Sequence, residues 1–475
     1  MVFNSSFFLC YFLPLFLLVN YLLPAKLRNY WILGCSLAFM AWASVDFFLV
    51  ALLSVMVTFV LTALMHKSSG QKRLLLMGTA VALNLGLLLY YKYTGFFVEN
   101  FNLALSGLGL QNLSWTSVAL HLGISFNTYH QLSYVTDVYR EEKPPLSNPF
   151  NYALYVLMFP RLMAGPILRY ADTADAIAGR RADDTVSGRL AGIFRFSVGL
   201  AKKVLIADVL GNKAAEIFAL QAESLSSPMA WMGLLVFSLQ IYVDFSAYSD
   251  MAIGLGRTMG FRFPENFNSP YLAGSITEFW RRWHISLYSF LKEYVYMPLA
   301  VKWRGSGKAG LFLALMITFT LCGMWHDAGW TFILWGMLQG VLLILDQLFM
   351  LKFLRKITRI PAMLLTFFAV MMGWVLFLSS DTSQALAIYT QLFSGDFHRQ
   401  GISFNPKFYT ALGIALLFSV IGFHRKTENW QTRIFEPATG TGPALLQFSL
   451  TLILLLISIS VIVSYGFSPF IYARF

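Results

Sequence analysis

The sequence predicts an all-α, polytopic transmembrane protein, and three observations carry that prediction. The chain of 475 residues is 57% hydrophobic and only 12% charged. Soluble domains carry about 25% charged residues, and so little charge cannot cover a water-facing surface of this size. The mean hydropathy is correspondingly high, +0.62. The apolar residues also fall in continuous runs, such as 47–65 and 445–463. Runs of that length match the bilayer core. A membrane β-barrel would instead show alternating segments of about ten residues.

Candidate spans follow one another at 7–23, 30–44, 47–65, 74–91, 117–136, 150–165, 190–207, 229–245, 309–325, 330–349, 361–379, 408–423 and 444–465. Some are short or polar, so about eleven true crossings are expected, with the rest re-entrant or interfacial. The first run lacks a basic leader and a clear small-residue cleavage site, so it reads as a span rather than a signal peptide. Lys26 and Arg28 follow the first run, Asp46 separates the second from the third, and Lys67, Lys72 and Arg73 follow the third. Basic loops favour the cytoplasm, which puts the N-terminus outside. The longest polar stretches, 169–189 and 381–407, are only loop-sized. One integral-membrane domain over 1–475 is therefore expected.

The net charge of +12 is scattered over short loops. No basic stripe with interleaved aromatics marks a nucleic-acid surface. Cys10, Cys35 and Cys322 lie in or beside apolar runs. Their spacing suits neither a disulfide frame nor a zinc site, so no metal is expected. Neither His-Glu-x-x-His nor Gly-x-Ser-x-Gly occurs.

The segment 275–300 stands apart. Ser275 and Glu278 are spaced as a capping box, and a single amphipathic helix is expected from there. Trp280, His284, Leu287, Leu291 and Tyr294 share one face, and Arg281, Arg282 and Lys292 lie on the basic side. His284 thus points into protein. A second histidine, His326, sits among Trp325, Asp327 and Trp330 between two apolar runs. Ionisable groups in such surroundings are costly and usually face a cavity. An imidazole suits proton transfer near neutral pH. His326 is therefore the candidate base for a hydroxyl attacking an acyl thioester, and His284 is the second member, as donor, orienter or proton partner. Trp325, Asp327, Trp280, Asp244 and Arg282 complete the expected substrate-binding set. Asp244, Asp250 and Glu265 are expected to pair with Arg257 or Arg262, and the alternative is a cation or substrate hydroxyl. His121 and His130 read as structural. A multi-pass transporter or channel for an anionic or lipid-linked substrate is the rival reading, although no internal repeat supports it.

Several blocks carry a resemblance, densest over 120–340. They are Gly123-Ile124-Ser125-Phe126 with Asp137-Val138-Tyr139-Arg140, the Phe-Pro-Arg-Leu-Met-Ala-Gly-Pro-Ile run at 159–167, and Gly199-Leu200-Ala201-Lys202-Lys203. Tyr242-Val243-Asp244-Phe245-Ser246, the run 260–267, the Trp-Arg-Arg-Trp-His-Ile-Ser block at 280–286, Trp325-His326 and the run 468–472 follow in order. Together they resemble the membrane-bound O-acyltransferases of the alginate O-acetyltransferase type. The resemblance implies that His326 matches the family's essential histidine and His284 its second one. It implies transfer of an acyl group, usually acetyl, across a bacterial cytoplasmic membrane to a polysaccharide such as alginate or peptidoglycan. The donor would be a thioester co-substrate, acetyl-CoA or an acyl carrier, with no bound cofactor. A periplasmic acyltransferase partner is often involved. Two departures, at 298–304 and at Asp327, bear on donor and acceptor identity.

Overall fold

The protein is described from a computed structural model covering residues 3–116, 123–162, 165–179, 184–220, 225–398, 401–424, 427 and 429–471. Helices account for nearly all regular structure, and an isolated bridge between Phe267 and Trp283 is the one β-type pairing among the described residues. Among the described residues eight helices are long and apolar enough to cross a membrane, and Phe8–Leu22 is a shorter apolar one. The chain forms two compact units, 1–184 with 259–263, and 185–258 with 264–475.

In the first unit, α1 (Phe8–Leu22) and α2 (Ala25–Ala43) gather Phe8, Phe12, Phe16 and Phe39 around Phe159. Long helices α3 (Val45–His66) and α4 (Gly70–Gly107) follow. Ser44 caps α3 by accepting from the Phe47 N–H, and Asn84 of α4 donates to Thr58 of α3 at 2.9 Å. Helix α5 (Ile124–Tyr139) buries Asn127, Thr128, His130, Gln131, Ser133 and Asp137. The expected crossing at 150–165 is not one helix. α6 (Pro149–Leu157) stops at Met158, whose backbone turns extended, and a short 3-10 turn at Phe159–Arg161 carries Pro160. Proline lacks an N–H and its ring crowds the carbonyl four residues back, so a helix cannot run unbroken through Pro160. α7 (Tyr170–Ile177) completes this unit.

In the second unit, α8 (Val186–Ala201) widens into a π-helical stretch over Lys202–Ala207 and continues as α9 (Asp208–Phe218). It packs on the 32-residue α10 (Ser227–Thr258). Glycine permits a close backbone approach here. A Cβ on Gly254 would stand 2.6 Å from the Gly192 carbonyl oxygen and 2.7 Å from the Phe196 nitrogen.

The expected helix over 275–300 is broken. α11 (Ile276–Arg282) and α12 (Ile285–Leu291) are separated at Trp283 and His284, followed by α13 (Met297–Lys302). His284 is left-handed, with φ +44°. The break is held by an earlier strand-like stretch: the Asn268 N–H donates to the Arg282 carbonyl at 2.9 Å and the Ile285 N–H to the Asn266 carbonyl at 3.0 Å. The capping box forms, with Ser275 Oγ accepting from the Glu278 N–H and Glu278 reaching back to the Gly274 N–H. Beyond it come α14 (Gly307–His326), α15 (Trp330–Leu345), α16 (Arg359–Leu378), α17 (Thr382–Leu392), α18 (Pro406–Val420) and α19 (Thr441–Tyr465).

The Gly192–Gly254 approach generates a test. Gly254→Ala forces a methyl against backbone and should cost about 1–3 kcal/mol, the usual price of overpacking. Melting temperature in detergent checks it, and an unchanged value would show that the helices can part freely.

Candidate active site

The two histidines meet on one indole. His326 is the last residue of α14, and His284 sits at the α11–α12 break. The Trp325 ring centroid lies 4.8 Å from that of His326 and 5.7 Å from that of His284. Both imidazoles are enclosed, His284 completely and His326 to within 5% of exposure. Trp335 and Phe377 stand edge-to-face with His326, each at 5.1 Å, and Phe245 of α10 does so with His284 at 4.6 Å.

Sequence and packing explain each placement. The α14–α15 crossing is tight: a Cβ on Gly323 would stand 3.0 Å from the Gly336 backbone. Small residues let membrane helices approach this closely. The contact lies one turn before His326 and fixes its height relative to Trp335. Trp280 of α11 donates its indole N–H to Gln339 of α15 at 3.2 Å and packs on Trp335. Trp335 stacks on Trp374 of α16, and Trp374 touches Trp283. A contiguous aromatic wall thus surrounds the pair.

Electrostatics separate the two imidazoles. Burial pushes the His284 ring down to about 3, so it is neutral at physiological pH. His326 ends a 20-residue helix.

The other expected site residues divide. Trp325 and Trp280 belong to the aromatic wall. Asp327 is half-buried, and its carboxylate accepts from the Ala328 N–H at 2.8 Å. Arg282 bonds Glu278 at 2.8 Å and the Asn268 carbonyl, which ties down the break rather than meeting the imidazoles. Asp244 pairs with Lys203 at 2.7 Å and accepts from the Ile471 N–H. The expected partners, Arg257 and Arg262, are thereby corrected: Asp250 and Glu265 pair with Arg195, and Asp250 also with Lys202. Arg257 instead reaches the Phe435 carbonyl. The reason is geometric, since α8 lies along α10 and presents its cations directly. His130 is buried, and its Nε2 faces Arg161 and the Leu168 N–H. His121 lies outside the described residues.

Sequence reasoning missed Phe245, Trp335, Phe377, Gln339 and Asn266. Trp335 and Gln339 are one turn apart, and a lone amide in an apolar run was the available signal. Asn266 is buried. Its side-chain oxygen accepts from the Ser286 N–H at 3.2 Å and hydroxyl at 2.9 Å, and its amide donates to Ser249. It also lines a cavity of about 200 Å³ beside Arg195, Lys202, Asp250 and Ser249.

A pH prediction follows. The His284 pKa is lowered in the fold, so the unfolded chain binds more protons below about pH 6.5. Stability contributed by this group is complete above that value and is lost as pH falls towards about 3. His284→Asn should flatten the decline in melting temperature between pH 6.5 and 5. An equally steep decline in the variant would assign the acid sensitivity elsewhere.

Comparison with known proteins places these features. The sequence model of the membrane-bound O-acyltransferase family matches residues 32–380. A probable alginate O-acetylase AlgI of Azotobacter vinelandii is 39% identical over 88% of this chain and 83% of its own length. Its counterpart in Pseudomonas syringae pv. tomato is 39% identical over 94% and 86%. A peptidoglycan O-acetyltransferase of Helicobacter pylori is 35% identical over 82% and 79%.

Proposed function

The chain belongs to the membrane-bound O-acyltransferase family and is a multi-pass membrane acyltransferase, and on that premise we propose that it O-acylates an extracytoplasmic polysaccharide, with His326 as general base. Family membership decides between the two sequence readings, enzyme and transporter, in favour of the enzyme. The relatives named for alginate and peptidoglycan support a glycan acceptor and an acetyl group.

The observation that carries the mechanism is the sharing of Trp325 by two enclosed imidazoles. A glycan hydroxyl attacks the carbonyl carbon of a thioester such as acetyl-CoA or an acyl-carrier thioester. His326 takes the hydroxyl proton as the C–O bond forms. The resulting oxyanion needs a preorganised donor, and a neutral His284 N–H is suited to that role. Collapse of the intermediate breaks the C–S bond, and the thiolate recovers the proton from His326. No covalent acyl-enzyme is needed. A periplasmic partner protein is the second delivery route, in place of direct transfer to the glycan.

Replacing His326 with Ala should lower acyl transfer about 10²–10⁴-fold, the range for loss of a general base, in a protein that still inserts and purifies. Mass analysis of envelope polysaccharide reads the outcome, and unreduced O-acylation in that variant refutes the assignment. His284→Asn should lower it about 10²–10³-fold, the range for loss of one oxyanion donor.

We further propose residence in the bacterial cytoplasmic membrane with the N-terminus outside, on the strength of basic residues at 26, 28, 67, 72 and 73. An alkaline phosphatase fusion after residue 68 should be inactive and a fluorescent-protein fusion there bright. The reverse pattern would invert the topology.

A further inference from the structure

Arg161 is an interior cation with no carboxylate paired to it among the described residues. Its side chain is completely buried. Nη1 donates towards His130 Nε2 at 3.2 Å, and Nη2 donates to the Tyr155 carbonyl. The guanidinium also lies over the rings of Tyr155 and Phe263, at 5.5 and 5.7 Å. All of these partners are neutral. The Nε–H has no acceptor among the described residues. A guanidinium carries five N–H donors in a fixed fork, so most of its capacity is unspent. Interior charges are ordinarily paired, and nearby carboxylates in this unit show the contrast: Asp172 is held by two bonds from Arg169, at 2.8 and 3.0 Å.

Arg161 borders a cavity of about 100 Å³. Arg262, exposed to solvent, lines the same cavity, with Thr173, Ala176 and the neutralised Asp172. The cavity therefore has one guanidinium inside and one at its exposed edge. Its volume matches a single tetrahedral oxyanion. The flanking helix α7 carries Asp172 and Asp175, exposed and paired with Arg169 and Lys143, which marks a polar edge of the unit.

We propose that this cavity is an anion site that takes one phosphate-class group, with Arg161 supplying the buried counter-charge and Arg262 the outer one. A planar guanidinium matches phosphate oxygens bidentately. The group can come from an anionic phospholipid headgroup or from a soluble phosphate compound. The site lies in the first unit and is independent of the histidine pair.

The experiment uses the full chain purified in detergent. Melting temperature is followed against inorganic phosphate, and separately in nanodiscs of phosphatidylcholine with and without phosphatidylglycerol. Wild type should be stabilised saturably by at least one anionic probe. A response to phosphate identifies a soluble source, and a response to phosphatidylglycerol alone identifies a lipid. Arg262→Gln should weaken the apparent affinity about two- to five-fold, the yield of one exposed ion pair. Ala176→Leu, which fills the cavity without touching a charge, should abolish the response. Both variants leave the Arg161 contacts in place and so report even where Arg161→Gln does not fold. Absence of any response in wild type, or an undiminished one in Ala176→Leu, overturns the proposal.

Discussion

A membrane interior offers no water to satisfy a polar group, so a buried charge is ordinarily answered from within the chain. The α8–α10 contact is built on that requirement. Arg195, Lys202 and Lys203 face Asp250, Glu265 and Asp244 across helices whose backbones touch at glycines. Removing one partner from such a network leaves a bare charge, at about 3–5 kcal/mol. The ladder thereby fixes the register of α10, and α10 carries Phe245 against His284. The position of one imidazole depends on an ion network that never touches it.

The other imidazole is positioned by a different device. His326 takes its place from a glycine crossing and an aromatic wall, which hold by shape rather than charge. Both arrangements are rigid, and a proton can be received without moving the groups that receive it. Preorganisation of this kind is where enzymes gain most of their advantage over water. The proposed mechanism gives these two chemically identical side chains different tasks.

What was legible in the sequence was local. Apolar runs announced α3, α4, α10, α14, α15, α16, α18 and α19, because hydropathy is summed over neighbours. His326 was legible because tryptophan and glycine interrupt two runs beside it. The inward direction of His284 was legible from helical spacing, although the helix itself is broken there. That break depends on Asn266 and Asn268, whose backbone groups bond across from an earlier stretch, and no local pattern encodes it. The partners of the buried carboxylates were misread for the same reason. Arg257 is near Asp250 in sequence, whereas Arg195 is 55 residues away and Lys203 is 41 residues from Asp244. Pairing across helices follows from packing, which the sequence order does not display.

One contact of the ladder reaches much further. Lys203 donates to the Pro469 carbonyl, and Asp244 accepts from the Ile471 N–H across 227 residues. Phe470 lies over the Lys203 ammonium. During synthesis the two charged groups are inserted long before the ribosome has made the segment that closes over them. Until then the nascent protein carries an incompletely shielded ion pair in the bilayer. The interval is one in which a membrane chaperone or a quality-control protease can distinguish unfinished chains from finished ones.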